Sequence, residues 1–247
     1  LRRRLASRLT SATYATSTSP LHERPAVHFE PTAQQHQALE HFLEGANLKI
    51  EACAGSGKTS TLALLAEHAP RRRGLYLAYN RSTRREAEQT FPSEVECRTA
   101  HSLAYRAVGV VYKARLDGRL MPEDVTRALG LESCPLEQMD LRWAGLRLLE
   151  ALRAFCHSAD LEPDRRHLRG LAHLEEPVRQ QAQAWLAAQL PRLWAMWCDP
   201  DGDLPITHDT YLKLWSMSEP TCAHDYVLFD EAQDANPTIL HVVEGWV

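Results

Sequence analysis

Two stretches of this sequence hold residue types at spacings that can do chemistry. The first is "EACAGSGKTS", residues 51–60. Ala52, Cys53, Ala54, Gly55, Ser56, Gly57, Lys58, Thr59 and Ser60 follow the phosphate-loop pattern G-x-x-x-x-G-K-[ST], with Ala52 in place of the first glycine. Glycines at 55 and 57 let backbone N–H groups converge on phosphate oxygens, because side chains there would block the approach. A helix starting behind the loop adds the partial positive charge of its N-terminus. In such a loop Lys58 reaches the β- and γ-phosphates of ATP, and the Thr59 hydroxyl is a ligand for Mg²⁺. The second stretch is "YVLFDEAQDANP", from residue 226. Its apolar residues read as a buried strand that delivers Asp230 and Glu231 to the carboxyl edge of a sheet, where a phosphate loop also opens. Asp230 is the expected Mg²⁺ holder, through water. Glu231 is the expected general base that orients and deprotonates an attacking water, with Lys58 its catalytic partner. Taken alone, the acids also read as a strand ending in a solvated turn.

The elements around these residues follow from periodicity. Residues 32–44 read as a helix with Thr32 as N-cap. Residues 48–54, "LKIEACA", read as a strand running into the glycine loop. Leu62, Leu64, Leu65 and His68 lie on a helix ended by Pro70. Further apolar strands are expected at 74–80, 95–100 and 226–231, with a charged helix at 82–91 between the first two. Apolar strands alternating with helices indicate a parallel α/β sheet. More than a hundred residues of helical character separate the last two strands. Leu141, Leu148, Leu149, Leu152 and Phe155 share a helix face within 136–160. Residues 177–198 form another helix, in which Pro191 is expected to kink or break the chain. Trp185, Trp194 and Trp197 are assigned to the core of this helical part.

Composition narrows the class. Hydrophobic residues make up 44% and charged residues 24% of 247, as in ordinary globular proteins. No apolar run is long enough to span a membrane. Six cysteines without a C-x-x-C pair argue against a zinc site or a disulfide framework. A formal net charge of -4 weighs against a uniformly basic nucleic-acid binder, although a cationic groove on an acidic enzyme is compatible with it. Residues 1–22 differ: they carry Arg2, Arg3, Arg4 and Arg8 and no acid. That composition fits a solvated tail and also an organelle transit peptide. The tail is the reading adopted for residues 1–30.

"ACAGSGKT" together with "DEAQD" resembles superfamily 1 DNA helicases of the UvrD/Rep type. Gln35, in "TAQQHQALE", sits where that family contacts adenine. "LYLAYNRSTRREAEQTFP" (75–92) and "CRTAHSLAYRAVG" (97–109) resemble its motifs Ia and Ib. "LPITHDTYLKLWSMSEP" (204–220) is most similar to the F-box DNA helicase branch. The resemblance covers about residues 31–247. It implies that Asn80, Arg81, Thr99, His101 and Ser102 grip single-stranded DNA. These are chemically sensible phosphate donors. It also implies that Gln233 and Asp234 link nucleotide state to DNA grip. No F-box is recognisable in the chain.

The expected fold is a RecA-like P-loop parallel sheet with an inserted helical subdomain. The RecA-like domain would comprise residues 31–108 and 221–247, and the insert 109–220. The expected function is that of the N-terminal, ATP-binding motor portion of an ATP-dependent DNA helicase, 3′-to-5′ by resemblance. Its ligands would be ATP with Mg²⁺ and single-stranded DNA, with DNA-repair or recombination proteins as partners, no membrane, and a cytoplasmic or nucleoid location. The chain stops within the helix begun by "NPTILHVVEGW", before the family's later motifs. Alone it is therefore expected to bind rather than unwind. The rival readings are a nucleotide- and DNA-binding module without motor activity, and another P-loop enzyme such as a kinase. "DEAQD" and the Ib-like segment speak against the kinase.

Overall fold

The computed structural model describes residues 30–53, 55–116, 118–136 and 139–246. The N-terminal tail reading and the loop residue Ala54 lie outside the described residues. Packing divides the chain into two compact units. The first holds the described residues through Arg98 together with Ala223–Glu231. The second holds Thr99–Cys222 with Ala232–Trp246.

The first unit is mixed α/β. Helix α1 (Ala33–Leu43) begins with a capping box: Thr32 Oγ1 accepts from the Gln35 backbone N–H at 3.3 Å, and Gln35 Oε1 accepts from the Thr32 N–H at 2.9 Å. Helix α2 (Lys58–Glu67) leaves the glycine loop. Strand β1 (Gly74–Ala78), helix α3 (Arg81–Thr90), strand β2 (Val95–Thr99) and strand β3 (Tyr226–Phe229) follow. The sheet order is β2-β1-β3, and β1 runs parallel to β3 with Gly74 opposite Tyr226 and Tyr76 opposite Leu228. β1 is buried along its whole length, as a central strand covered on both faces must be. β2 and β3 alternate buried with half-buried residues. Leu39, Phe42, Leu65, Ala66, Tyr76, Phe91 and Leu228 form the centre of the core. A three-stranded sheet with an acidic residue pair at the end of β3 is compatible with a RecA-like core.

One expected strand is not formed. Residues 48–53 adopt no regular structure, and Leu48 and Ile50 are 38% and 36% exposed. Their apolar alternation suits a strand, but among the described residues no ladder reaches them. Their backbone groups are left to water, which an exposed segment permits and a buried one does not.

The second unit is helical. It contains α4 (Ala100–Ala107), a 3₁₀ turn (Gly109–Arg115), α5 (Pro122–Ala128), α6 (Leu141–Cys156), a short 3₁₀ turn (Arg165–His167), α7 (Val178–Trp197), α8 (His208–Met217), a 3₁₀ turn (Ala232–Asp234) and α9 (Pro237–Glu244). Leu148, Leu152 and Phe155 of α6 pack at zero exposure, as do Leu186, Leu190 and Leu193 of α7. Trp194 stacks edge-on against Phe155 and Trp197, so two of the three tryptophans are core, while Trp185 is half-buried. Pro191 does not break α7, which runs its full 20 residues. Pro191 is exposed, and Ala187, whose carbonyl it deprives of a partner, lines an open groove, where water can satisfy that carbonyl.

The boundaries of the units differ from those expected. Residues 99–108 and 232–246 belong with the helices. Tyr105 of α4 packs against Tyr211 of α8. At the C-terminal end, Thr238 donates to the Cys156 carbonyl at 2.6 Å and the Trp246 ring meets Trp215.

Candidate functional site

The glycine loop is shaped by two left-handed residues. Gly55 has φ 76° and Gly57 φ 81°, conformations that an L side chain resists. Gly57 is the N-cap of α2 and brings no side-chain cap, so the first N–H groups of the helix are turned to the loop. Nothing lies within 4 Å of where a Gly55 Cβ would stand, so the loop face there is open. Ser56 closes the turn by donating its hydroxyl to the Cys53 carbonyl at 2.6 Å.

Lys58 and Thr59 open α2. The Lys58 ammonium lies 3.8 Å from a Glu231 carboxylate oxygen and donates to the Ala52 carbonyl at 3.5 Å. Thr59 Oγ1 lies 3.5 Å from Asp230 Oδ2. The two sequence motifs, 171 residues apart, therefore meet at one end of the sheet. β3 delivers Asp230 there, and the Asp230 N–H still continues the ladder by donating to the Leu77 carbonyl at 3.1 Å.

Asp230 is 5% exposed and held from three sides. Oδ1 accepts from the Glu231 N–H at 3.0 Å, while Oδ2 accepts from Tyr76 Oη at 2.5 Å and faces Thr59. Burial, and then the adjoining Asp230 carboxylate, push the Tyr76 phenol far above its ordinary range, so it stays a donor at any physiological pH. Tyr76 was not singled out from sequence. Its signal was a tyrosine inside the otherwise aliphatic "GLYLA". Glu231 has φ 50°, left-handed for a residue with a side chain, and such strain collects at functional positions.

The donor set fits Mg²⁺ and a polyphosphate. A hydroxyl and a carboxylate are hard oxygen ligands, and an ammonium beside bare helix N–H groups suits phosphate oxygens. Thr59 and Asp230 would hold the ion, and Lys58 with residues 52–60 the phosphates. Gln35 is engaged on one side of its amide: Oε1 accepts from the Thr32 N–H and Nε2 donates one of its two protons to Thr61 Oγ1 at 2.9 Å. The second N–H and the second lone pair of the amide would serve an adenine contact without breaking either bond.

The residues expected at DNA fall in both units. Asn80 caps α3, its Oδ1 accepting from the Thr83 N–H at 2.9 Å, and Arg81 is exposed at the first helical position. In the second unit Thr99 and Ser102 form the capping box of α4. The Ser102 hydroxyl proton goes to the Thr99 carbonyl at 2.8 Å, so it is engaged within the helix. His101 Nε2 lies 3.3 Å from Asp209 Oδ1. Gln233 and Asp234 lie in the 3₁₀ turn Ala232–Asp234, within the second unit.

Comparison with known proteins finds two similar chains. The chain is 32% identical over 226 residues to F-box DNA helicase 1 of Gallus gallus, across 86% of its own length and 22% of the relative's. It is 30% identical over 258 residues to F-box DNA helicase protein 1 of Schizosaccharomyces pombe, across 94% of its length and 29% of the relative's. The chain is thus similar in sequence to a part of each of these two helicases. It spans under a third of the length of either relative. No family model matches it. No solved structure matches it either.

Proposed function

We propose that this chain is the ATP-binding motor portion of an ATP-dependent DNA helicase of the UvrD-like superfamily 1. In a complete motor it would couple ATP hydrolysis to 3′-to-5′ movement along single-stranded DNA and to unwinding. The helical unit would be the subdomain inserted into the RecA-like core. The observation that carries the proposal is the approach of Thr59 to Asp230 and of Lys58 to Glu231, across 171 residues of sequence in the first case. An acidic strand end meeting a glycine loop at the end of the sheet is what phosphoryl transfer to water requires. Similarity to two DNA helicases supports the choice of substrate.

In this reading Lys58 places a positive charge on the phosphates that are cleaved apart. Tyr76 fixes the Asp230 carboxylate, and Asp230 with Thr59 supplies oxygen ligands. Bound Mg²⁺ would neutralise charge on the phosphates. Glu231 accepts a proton from the attacking water, with its backbone held in a single strained conformation by the Asp230 bond. Asn80, Arg81, Thr99 and His101 supply donors to a DNA strand.

Calorimetric titration with MgATP tests the site in the chain as it stands. Lys58→Ala should weaken binding by at least about tenfold, since one charge-assisted bond is worth about 1.5–3 kcal/mol. Unchanged affinity would remove the loop from the nucleotide site. Glu231→Gln should leave binding intact and, in a hydrolysis-competent longer chain, lower turnover at least about a hundredfold. A loss under tenfold would rule Glu231 out as the base.

A further inference from the structure

The first unit holds a buried chain of polar groups that the phosphate chemistry does not use. Gln35 in α1 and Thr61 in α2 are 8% and 6% exposed. The Gln35 amide donates through Nε2 to Thr61 Oγ1 at 2.9 Å, and Thr61 Oγ1 donates to the Gly57 carbonyl at 3.0 Å. That carbonyl also accepts from the Thr61 backbone N–H at 2.9 Å. Gly57 is the left-handed residue that ends the glycine loop. The chain of bonds therefore runs from α1, through the first turn of α2, into the loop. We propose that Thr61 is a positioning residue for base selection: it fixes the order of donor and acceptor on the Gln35 amide, and so makes the site prefer adenine to guanine nucleotides. The proposal rests on the nucleotide-site reading given above, with the base at Gln35.

Each group in the chain has one role open to it. A carbonyl oxygen can only accept, so the proton of the Thr61 hydroxyl goes to Gly57. A hydroxyl bonded back to the carbonyl four residues earlier is common in helices and by itself says nothing of a ligand. Here it has a consequence for a third group. With its proton committed, Thr61 Oγ1 turns only lone pairs to Gln35, and only the NH₂ end of the amide can face them. On the other side the Thr32 N–H can only donate, so it takes Oε1, at 2.9 Å. Turning the amide over would set Oε1 against the Thr61 lone pairs and the NH₂ group against the Thr32 N–H. At 8% exposure water cannot make good either loss. One bond alone would let the amide plane turn about it, and the two together hold it.

Among the described residues, Thr32 and Thr61 leave one lone pair and one N–H of the amide for a ligand. Adenine carries a donor beside an acceptor, its exocyclic amino group and N7, and a glutamine amide pairs with both at once. Guanine carries two acceptors, O6 and N7, on the same edge. Against guanine the held amide sets its carbonyl against O6, two oxygens with no proton between them, and a buried unmatched pair of this kind is costly. An amide released from Thr61 can turn its NH₂ group to O6 instead. Thr61 thus decides which purine Gln35 accepts, while touching neither the base nor the phosphates itself. Its bond to Gly57 places the same control one residue from Lys58, so the base reader and the phosphate loop are parts of one bonded frame.

Calorimetric titration of the chain with MgATP, MgGTP and magnesium tripolyphosphate tests this. Wild type should bind ATP about tenfold more tightly than GTP, within the range for one bidentate amide–base pair. Thr61→Val keeps the branched side chain and removes the hydroxyl. It should bring the ratio down to about threefold or less and leave tripolyphosphate affinity unchanged. Thr61→Ser keeps the hydroxyl and should restore the wild-type ratio. An ATP analogue with carbon in place of N7 should bind wild type about fivefold more weakly than ATP, as loss of one hydrogen bond implies. Circular dichroism and urea denaturation check that the variants are folded. A Thr61→Val variant with the wild-type ratio, or one that loses ATP, GTP and tripolyphosphate in equal proportion, would overturn the inference and leave the nucleotide site standing. So would equal binding of ATP and GTP, or of ATP and its N7-less analogue, by wild type, a result that needs no variant. Absence of binding of every ligand by wild type would overturn the nucleotide-site reading with it.

Discussion

The hydroxyl of Tyr76 reaches Asp230 from the neighbouring strand at 2.5 Å, and this bond makes the acidic end of β3 a fixed site rather than a solvated turn. An Asp230 side chain at 5% exposure cannot rely on water, so each of its three donors carries weight. Tyr76→Phe keeps the ring in the core, against Phe91 at 4.6 Å, and removes only the donor. We expect it to lower stability in urea denaturation by about 1.5–3 kcal/mol, the range for hydrogen bonds to charged groups. Magnesium-dependent nucleotide affinity should fall with it. A variant as stable as wild type would show that Thr59 and the Glu231 N–H suffice. At this scale the glycine loop and the acid pair could be picked out as candidates, because each is a short contiguous motif, and the structure brings them together. The Tyr76 contact joins residues 154 apart, and nothing local in "GLYLA" names its partner. The left-handed backbone of Glu231 is equally unwritten, since no residue type there demands it.

Three strands and the helices around them were readable from apolar runs, and the reason is burial. β1 is covered on both faces, and its sequence is apolar at every position after Gly74. Gly74 itself has a steric role. A Cβ there would run into the Tyr226 ring of the neighbouring strand β3. Gly74→Ala must therefore push that ring from its place against Phe42, at a cost of about 1–3 kcal/mol typical of overpacking. Thermal or urea denaturation would measure it, and an unchanged midpoint would mean that Tyr226 moves freely. The segment 48–53 shows the limit of pattern reading. Alternation marks a chain that could be a strand, but a strand also needs a ladder partner, which a pattern does not supply. Pro191 shows the converse. A helix tolerates an interior proline where the lost bond faces water, and exposure is a tertiary property. The assignment of 99–108 and 232–246 to the helical unit was likewise out of reach. It depends on aromatic and cap contacts, such as Tyr105 with Tyr211, between segments far apart in sequence.

At the scale of the whole molecule, an acidic chain with a formal charge of -4 gains negative charge and self-repulsion as pH rises, which weakens most folds. One group works in the opposite direction. Lys213 lies in α8 at 1% exposure, with its ammonium bonded to the Ser158 and Asp160 carbonyls and 4.4 Å above the Phe155 ring. These contacts tie α8 to the turn that follows α6, and they are buried in the centre of the helical unit. Burial lowers the ammonium pKa from 10.5 to about 8. Between those values the unfolded chain holds a proton that the folded chain has released, so folding becomes more favourable as pH rises through the window. Against a Lys213→Met variant, which keeps the length of the side chain and removes the titration, wild type should gain on the order of 2 kcal/mol between pH 8 and pH 10. The comparison between the two proteins cancels the general effect of net charge, which acts on both. Urea denaturation of each at pH 8, 9 and 10 gives the difference directly. Parallel curves would mean that Lys213 keeps an ordinary pKa in the fold, and that its two carbonyl bonds and the Phe155 face fully compensate the ammonium for the water it has lost.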